Sequence, residues 1–210
     1  VMELIETLNL PKGVINLVNG GKEVVDALLE HPDVKAISFV GSSAVARYVY
    51  SKGTAHGKRV QAQGGAKNPI VIMPDADIDL TTQIITDSVF GCAGQRCLAA
   101  SNILTIGSHS AITESLLEAA KSRKTGFGLD PEVAMGPVIT AESKTRVHQL
   151  IELGVKEGGK LLLDGRNAAI SGFEKGNFIM PSIIKNIPAD GVLAKTEIFV
   201  TINKKLSIFS

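Results

Sequence analysis

Cysteine is scarce in this sequence. Cys92 and Cys97 are the only two, and both lie in one segment, "DSVFGCAGQRCLAASN", residues 87–102. Two cysteines exclude a scaffold of several disulfides, and their spacing is not the Cys-x-x-Cys of a redox motif. A reducing, intracellular compartment is the simpler reading. Histidine is scarce too: His31, His56, His109 and His148 are scattered, and none stands at zinc-ligand spacing from a cysteine. No metal is therefore expected. A surplus of one charge is missing, with 22 Lys and Arg against 21 Asp and Glu and a formal net charge of +1. Neither nucleic acid nor a membrane surface is an expected partner. No apolar run reaches the ~20 residues of a membrane span. No signal or transit pattern opens the chain.

What is present reads as an ordinary globular protein, 44% hydrophobic and 20% charged over 210 residues. That length permits one large domain or two small ones. Short apolar runs alternate with helical patterns. "VMELIETLNL" predicts a helix that stops at Pro11, and "GVINLVNG" a strand ending in an Asn-Gly turn. "GKEVVDALLEH" has helical spacing and ends before Pro32. "VKAISFVG" is a strand, Ser42 and Ser43 offer an N-cap, "AVARYVYSKG" is a helix and "KRVQAQ" a strand. After the glycine turn "GGAKN" the pattern resumes with the strand "PIVIMP" and a helix, "DADIDLTTQIITDSVFG", whose acidic start suits the helix dipole. "SNILTIG" is a strand, "SHSAITESLLEAAKSR" an amphipathic helix, "TAESKTRVHQLIELGVKEG" a helix with an imperfect capping box, and "KLLLDG" a strand. "RNAAISGFEKGNFIMPSII" reads as a hairpin or irregular excursion. Strand–helix alternation predicts an α/β fold with a parallel sheet, and the glycine turn puts a soft boundary at residues 63–68.

Three places carry candidate chemistry. Free cysteine is among the most buried residue types, so Cys97 is open to two readings, an apolar filler and a reactive thiol. Gly91 and Gly94 bracket a loop where backbone amides can converge. Arg96 adjoins the sulfur, and "LAASN" can begin a helix; both favour thiolate. A thiolate there can attack an aldehyde while adjacent amides hold the oxyanion. Cys92 lacks these surroundings and reads as structural filler. The second place is "FVGSS", Phe39–Ser43, a strand running through glycine into a helix. Such a turn presents amides to a phosphate, or merely reverses the chain. The third is "QAQGGAKNP", whose paired glycines allow close backbone approach or a tight turn. The carboxamide of Gln63 does not titrate usefully as a general base.

These segments resemble the aldehyde dehydrogenase superfamily, and within it the CoA-acylating, methylmalonate-semialdehyde branch. The resemblance runs over residues 1–199 through "AISFVGSSAVARYVYSKGTAHGKRVQAQGGAKN", "IVIMPDADID", "FGCAGQRCLAAS", "MGPVITAESKTRV", "LLLDGR", "GFEKGNFIMPSII" and "EIF". It implies an incomplete NAD-binding part over residues 1–65 and an incomplete α/β catalytic part over residues 66–210. It implies Cys97 as nucleophile and Arg96 as a holder of the substrate carboxylate, a task that suits a guanidinium. Gly41 and Ser42 would lie beside the NAD pyrophosphate, Glu197 and Phe199 would hold the nicotinamide ribose and ring, and Phe39 and Gly64 would be further cofactor-binding residues. Gln63 falls where water-using members carry a glutamate base. The resemblance further implies methylmalonate or malonate semialdehyde as substrate, coenzyme A as co-substrate, and propionyl-CoA or acetyl-CoA as product, with loss of the carboxylate as carbon dioxide. A hydrolytic semialdehyde dehydrogenase is the enzymatic alternative, and a non-catalytic fragment that keeps nucleotide or partner binding is the other.

The same resemblance implies homodimers or homotetramers, in the cytoplasm of a bacterium or the mitochondrial matrix of a eukaryote. "TEIFVTI" replaces the family's "EEIFGP", so Val200 and Thr201 depart from it, and Ala46 stands where many members have glycine. The chain reads as an internal fragment. The family's oxyanion asparagine, its adenosine-ribose lysine and a second substrate arginine are expected before Val1. The rest of the catalytic domain and the strand used in oligomerisation are expected after Ser210.

Overall fold

The computed structural model describes residues 1–107 and 110–199 together with the backbone of 202–208. Val200 and Thr201 lie outside the described residues. The chain divides into two compact units, Val1–Gly65 and Ala66–Ser210.

The first unit holds α1 (Met2–Glu6), α2 (Lys22–Glu30), β1 (Ala36–Val40), α3 (Ser43–Ala55) and β2 (Arg59–Gln63). Pro32 ends α2, because the residue before a proline is pushed out of the helical region; His31 sits at ψ 126°. The strands β1 and β2 pair in parallel, from Ala36 opposite Arg59 to Val40 opposite Gln63. The intervening α3 makes this a βαβ unit, and it buries Ala46, Val49 and Gly53. Asp26 on α2 meets Tyr48 and Lys52 on α3, and also Lys22. Hydrogen bonds from Lys22 and then Tyr48 hold its carboxyl far below the usual carboxylate range.

Lys58 is 7% exposed. Its Nζ donates to the carbonyls of His31 (2.6 Å) and Val34 (2.7 Å), closing the passage from α2 to β1. Lys58→Met fills the same volume but leaves both carbonyls without that donor. It is expected to lower the unfolding free energy by about 2 kcal/mol, measured by urea denaturation.

Two expectations for this unit need correction. The predicted strand at residues 13–20 is irregular chain, with Val14, Ile15, Leu17 and Val18 exposed. A strand needs a neighbour for its N–H and C=O groups. Among the described residues none pairs with it; the sheet is β1 and β2 alone. The first helix covers five residues rather than the whole of "VMELIETLNL". Leu4, Leu8 and Leu10 are exposed, so no apolar stripe is buried to offset the cost of helix nucleation.

The second unit runs β3 (Pro69–Ile72), α4 (Ile78–Phe90), a 3₁₀ turn (Gly91–Gly94), β4 (Asn102–Ile106), α5 (Ser110–Ser122), α6 (Ala141–Lys156), β5 (Lys160–Leu163), β6 (Ser182–Lys185), α7 (Val192–Lys195) and β7 (Ile202–Ile208). Asp77 caps α4, its Oδ1 accepting from the Leu80 amide at 2.8 Å. Thr140 caps α6 through the Ser143 amide at 3.1 Å. The sheet order is β3-β4-β7-β6-β5. Its first three pairings are parallel, and β5–β6 is antiparallel. The architecture is therefore α/β, and among the described residues both sheets are open. Ile85, Val89 and Phe90 of α4, Ile103 of β4, Val147 and Ile151 of α6 and Ile184 of β6 share one apolar core.

Residues 164–181 are an irregular excursion between the antiparallel strands β5 and β6, and Ser182–Ile184, at the end of the quoted "RNAAISGFEKGNFIMPSII", belong to β6. Gly165 pins it. Its N–H donates to Ser182 Oγ (3.0 Å) and its carbonyl accepts from the Met180 amide (2.9 Å). A Cβ at Gly165 would lie 1.8 Å from the Met180 carbonyl oxygen, so only glycine allows this approach.

Candidate active site

The second unit presents Cys97 on a loop between α4 and β4. The loop begins with three consecutive left-handed residues, Cys92 (φ 51°), Ala93 (φ 52°) and Gly94 (φ 70°). For the two non-glycines this conformation costs about 1–2 kcal/mol each, so the surroundings must hold it. Ala93 goes inward, 1% exposed, and Cys92 goes out. The reading of Cys92 as structural filler is therefore corrected: the left-handed turn buries its neighbour in its place.

The Gly-Gln-Arg triplet accounts for how the loop is held. Gln95 Nε2 donates to the carbonyls of Cys92 (3.1 Å) and Pro137 (3.2 Å), and its Oε1 accepts from the Ile139 amide (2.9 Å). Arg96 Nη2 donates to the carbonyls of Asp87 and of Ser88 (3.2 Å for the second), in the last turn of α4. Ser88 Oγ accepts from the Ala100 amide at 3.1 Å. A turn from Arg96 to Ala99 closes with the Ala99 amide 3.0 Å from the Arg96 carbonyl.

No helix follows Cys97, contrary to the expectation for "LAASN". The segment is a turn drawn directly into β4, because the Ser101 and Asn102 amides donate to the Asn68 carbonyl (2.9 and 3.2 Å). A helix N-terminus is thus not available to this thiol. Among the described residues the Cys97 N–H has no acceptor, and the side chain is exposed.

Cys97 opens on a shallow cleft that it shares with Asn68, Arg96, Glu197 and Phe199. The Glu197–Phe199 segment is held by its carbonyls. Lys67 Nζ donates to Thr196 O (2.6 Å). Arg146, from α6, donates to Ile198 O (2.6 Å) and to Glu197 O. Ile198 is buried and Phe199 is turned out at φ 53°. Sequence reasoning missed Lys67, Asn68 and Arg146. The first two sit in the quoted "GGAKN" turn, whose glycines were the only signal read there. Arg146 bears no local signal, since its partners lie some fifty residues away.

In the first unit Phe39, Gly41, Ser42 and Gly64 come together where β1 and β2 end and α3 begins. The Gly41 amide donates to Gln63 O (3.1 Å). Ser42 caps α3, its Oγ accepting from the Val45 amide (3.4 Å), and Ser43 Oγ accepts from the Gly65 amide (3.0 Å). A Cβ at Gly41 would lie 2.5 Å from the Phe39 ring, and one at Gly64 3.0 Å from Ser43 Oγ. Beside them Ser43, Ala46, Arg47, Tyr50 and Gly64 line an open hollow of about 440 Å³. Strand C-termini, a helix N-terminus, side-chain-free glycines and a guanidinium fit the phosphates of a dinucleotide. Among the described residues no cluster of three or more His, Cys, Asp or Glu could hold a metal ion. Among them no helix is long and apolar enough to cross a membrane.

The aldehyde dehydrogenase family profile matches residues 1–204. "Malonate-semialdehyde dehydrogenase 2" of Geobacillus kaustophilus is 48% identical over 202 residues, 95% of this chain and 41% of that protein. The human mitochondrial "methylmalonate-semialdehyde/malonate-semialdehyde dehydrogenase [acylating]" is 43% identical over 197 residues, 94% and 37% respectively. A crystal structure from Sinorhizobium meliloti 1021, complexed with NAD, aligns with a TM-score of 0.95 at 40% identity, covering 100% of this chain and 43% of that one. The chain thus spans about two fifths of the length of the relatives it matches. With its match to the family profile nearly end to end, the chain belongs to the aldehyde dehydrogenase family.

Proposed function

We propose that this chain carries the nucleophile of an NAD-dependent semialdehyde dehydrogenase that passes its acyl group to coenzyme A. The observation that carries the reading is Cys97, exposed on a loop whose flanks are tied at every turn, in one cleft with Arg96, Glu197 and Phe199. Cys97 as thiolate adds to the aldehyde carbon, and its own N–H, which has no acceptor among the described residues, is free to donate to the developing oxyanion. A bound NAD would supply the hydride acceptor for this carbon, leaving the acyl group on Cys97 as a thioester. The thiol of coenzyme A takes the acyl group and releases the Cys97 sulfur. Arg96 spends Nη2 on two carbonyls, and the remaining guanidinium donors serve the substrate carboxylate. Phe39, Gly41, Ser42 and Gly64 are proposed for the NAD phosphates. Glu197 and Phe199 are proposed for the nicotinamide ribose and ring. Assembly into homodimers or homotetramers belongs to the same proposal.

Gln63 supports transfer to a thiol over hydrolysis, because a carboxamide cannot take a proton from water. The test is NADH formation from malonate semialdehyde with and without coenzyme A. Turnover that requires coenzyme A is expected. Equal turnover without it would favour the hydrolytic enzyme. A second reading is favoured by the 41% and 37% shares of the relatives' lengths. In that reading the 210 residues bind nucleotide or a partner without turnover. NAD binding by calorimetry together with an unmodified Cys97 would select it.

A further inference from the structure

We propose that Asn68 is the positioning residue of the Cys97 sulfur, an inference that rests on the nucleophile reading above. Its carboxamide Nδ2 donates to the Cys97 carbonyl (2.7 Å) and to the Ala99 carbonyl (3.2 Å). Its backbone carbonyl accepts from the Ser101 and Asn102 amides. One residue thus grips the loop at the nucleophile and again where the loop becomes β4. The fold supplies the placement: Asn68 immediately precedes β3, and the parallel register sets Pro69 opposite Asn102.

The chemistry of the contact is selective. Both acceptors are carbonyls, so one atom must offer two N–H groups, which a primary amide does and a carboxylate cannot. Fixing the Cys97 carbonyl fixes the peptide plane after that residue and hence its ψ. Fixing the Ala99 carbonyl stops the Arg96–Ala99 turn from unwinding. The ties from Gln95, Arg96 and Ser88 act before or after Cys97. Among the described residues Asn68 is the only side chain bonded to residue 97 itself. Small displacements of a reacting atom cost rate steeply. The carboxamide therefore sets how well the sulfur meets an electrophile, although it touches no substrate.

The test uses the full 210-residue chain and iodoacetamide, with peptide mass spectrometry following Cys97 and Cys92 separately. Cys92 is exposed on the same loop and serves as the internal reference. In the parent Cys97 is expected to alkylate faster than Cys92. Asn68→Asp is isosteric and lacks the donor pair. It is expected to lower the Cys97-to-Cys92 rate ratio by about tenfold or more, with Asn68→Ala behaving alike. Asn68→Gln, which keeps the NH₂ group, is expected to retain more of the ratio than Asn68→Asp. A general loosening would move both cysteines, so the ratio separates positioning from mere stability. If Asn68→Ala does not fold, the Asp and Gln variants carry the comparison. A parent ratio that survives in Asn68→Asp would overturn the positioning role and leave the nucleophile reading standing. A parent in which Cys97 reacts no faster than Cys92 would overturn both.

Discussion

Cys97→Ser is expected to abolish the covalent adduct between this chain and malonate semialdehyde. A serine hydroxyl has nearly the size of the thiol, so the Asn68, Gln95 and Arg96 ties to the loop remain. What changes is the nucleophile, because an alcohol is far less ionised than a thiol near neutral pH and this loop brings it no general base among the described groups. The expected fall in adduct formation is on the order of a thousandfold or more, the scale on which loss of a covalent nucleophile acts. Intact-mass spectrometry after brief incubation with NAD and without coenzyme A, with the thioester adduct trapped by acid, measures it. Cys92→Ser in the same assay is expected to leave adduct formation within about twofold, because that side chain is not in the cleft. An adduct that persisted in Cys97→Ser and vanished in Cys92→Ser would move the nucleophile to the wrong cysteine and end the proposal.

Gly165→Ala is expected to be the most damaging single methyl group in the second unit. The added carbon would meet backbone on the far side, the Met180 carbonyl oxygen at 1.8 Å and its carbon at 2.3 Å. A flexible side chain could swing aside, but here the excursion itself must move. Its two hydrogen bonds to Ser182 and Met180 would then be lost as well. The combined cost is about 3 kcal/mol, or about 10 °C in unfolding midpoint for a chain of this size. Differential scanning fluorimetry would show it. Gly128→Ala is the control, since a Cβ there meets nothing within 4 Å and is expected to move the midpoint by no more than about 2 °C.

Much of the element order was legible because it rests on local signals. Ser42 before α3, Pro32 after α2 and Thr140 before α6 mark ends that the structure places within a residue or two of the expectation. The strand expected at 13–20 was misjudged because strand formation depends on a neighbour, and apolar alternation says nothing about whether one is there. Cys92 was misjudged because its left-handed backbone is held by packing and by Gln95, where no glycine or asparagine codes for it. At the site, the glycines around Cys97 drew attention to the right loop. The groups that fasten it were invisible for a different reason. Asn68 reaches 29 residues to Cys97, and Arg146 reaches 52 to Ile198. Neither contact leaves any periodicity to read.

The position of β7 in its sheet has a consequence for how a nascent chain acquires this fold. It follows β3 to β6 in chain order, yet it lies in the middle of the sheet, between β4 and β6. On a ribosome, β3 and β4 can pair early and β5 and β6 somewhat later, each leaving one bare edge facing the gap. The two halves can join only once β7 has been made and inserts between them, so the sheet stays split until that strand is in place. Until then the bare edges are a demand on chaperones.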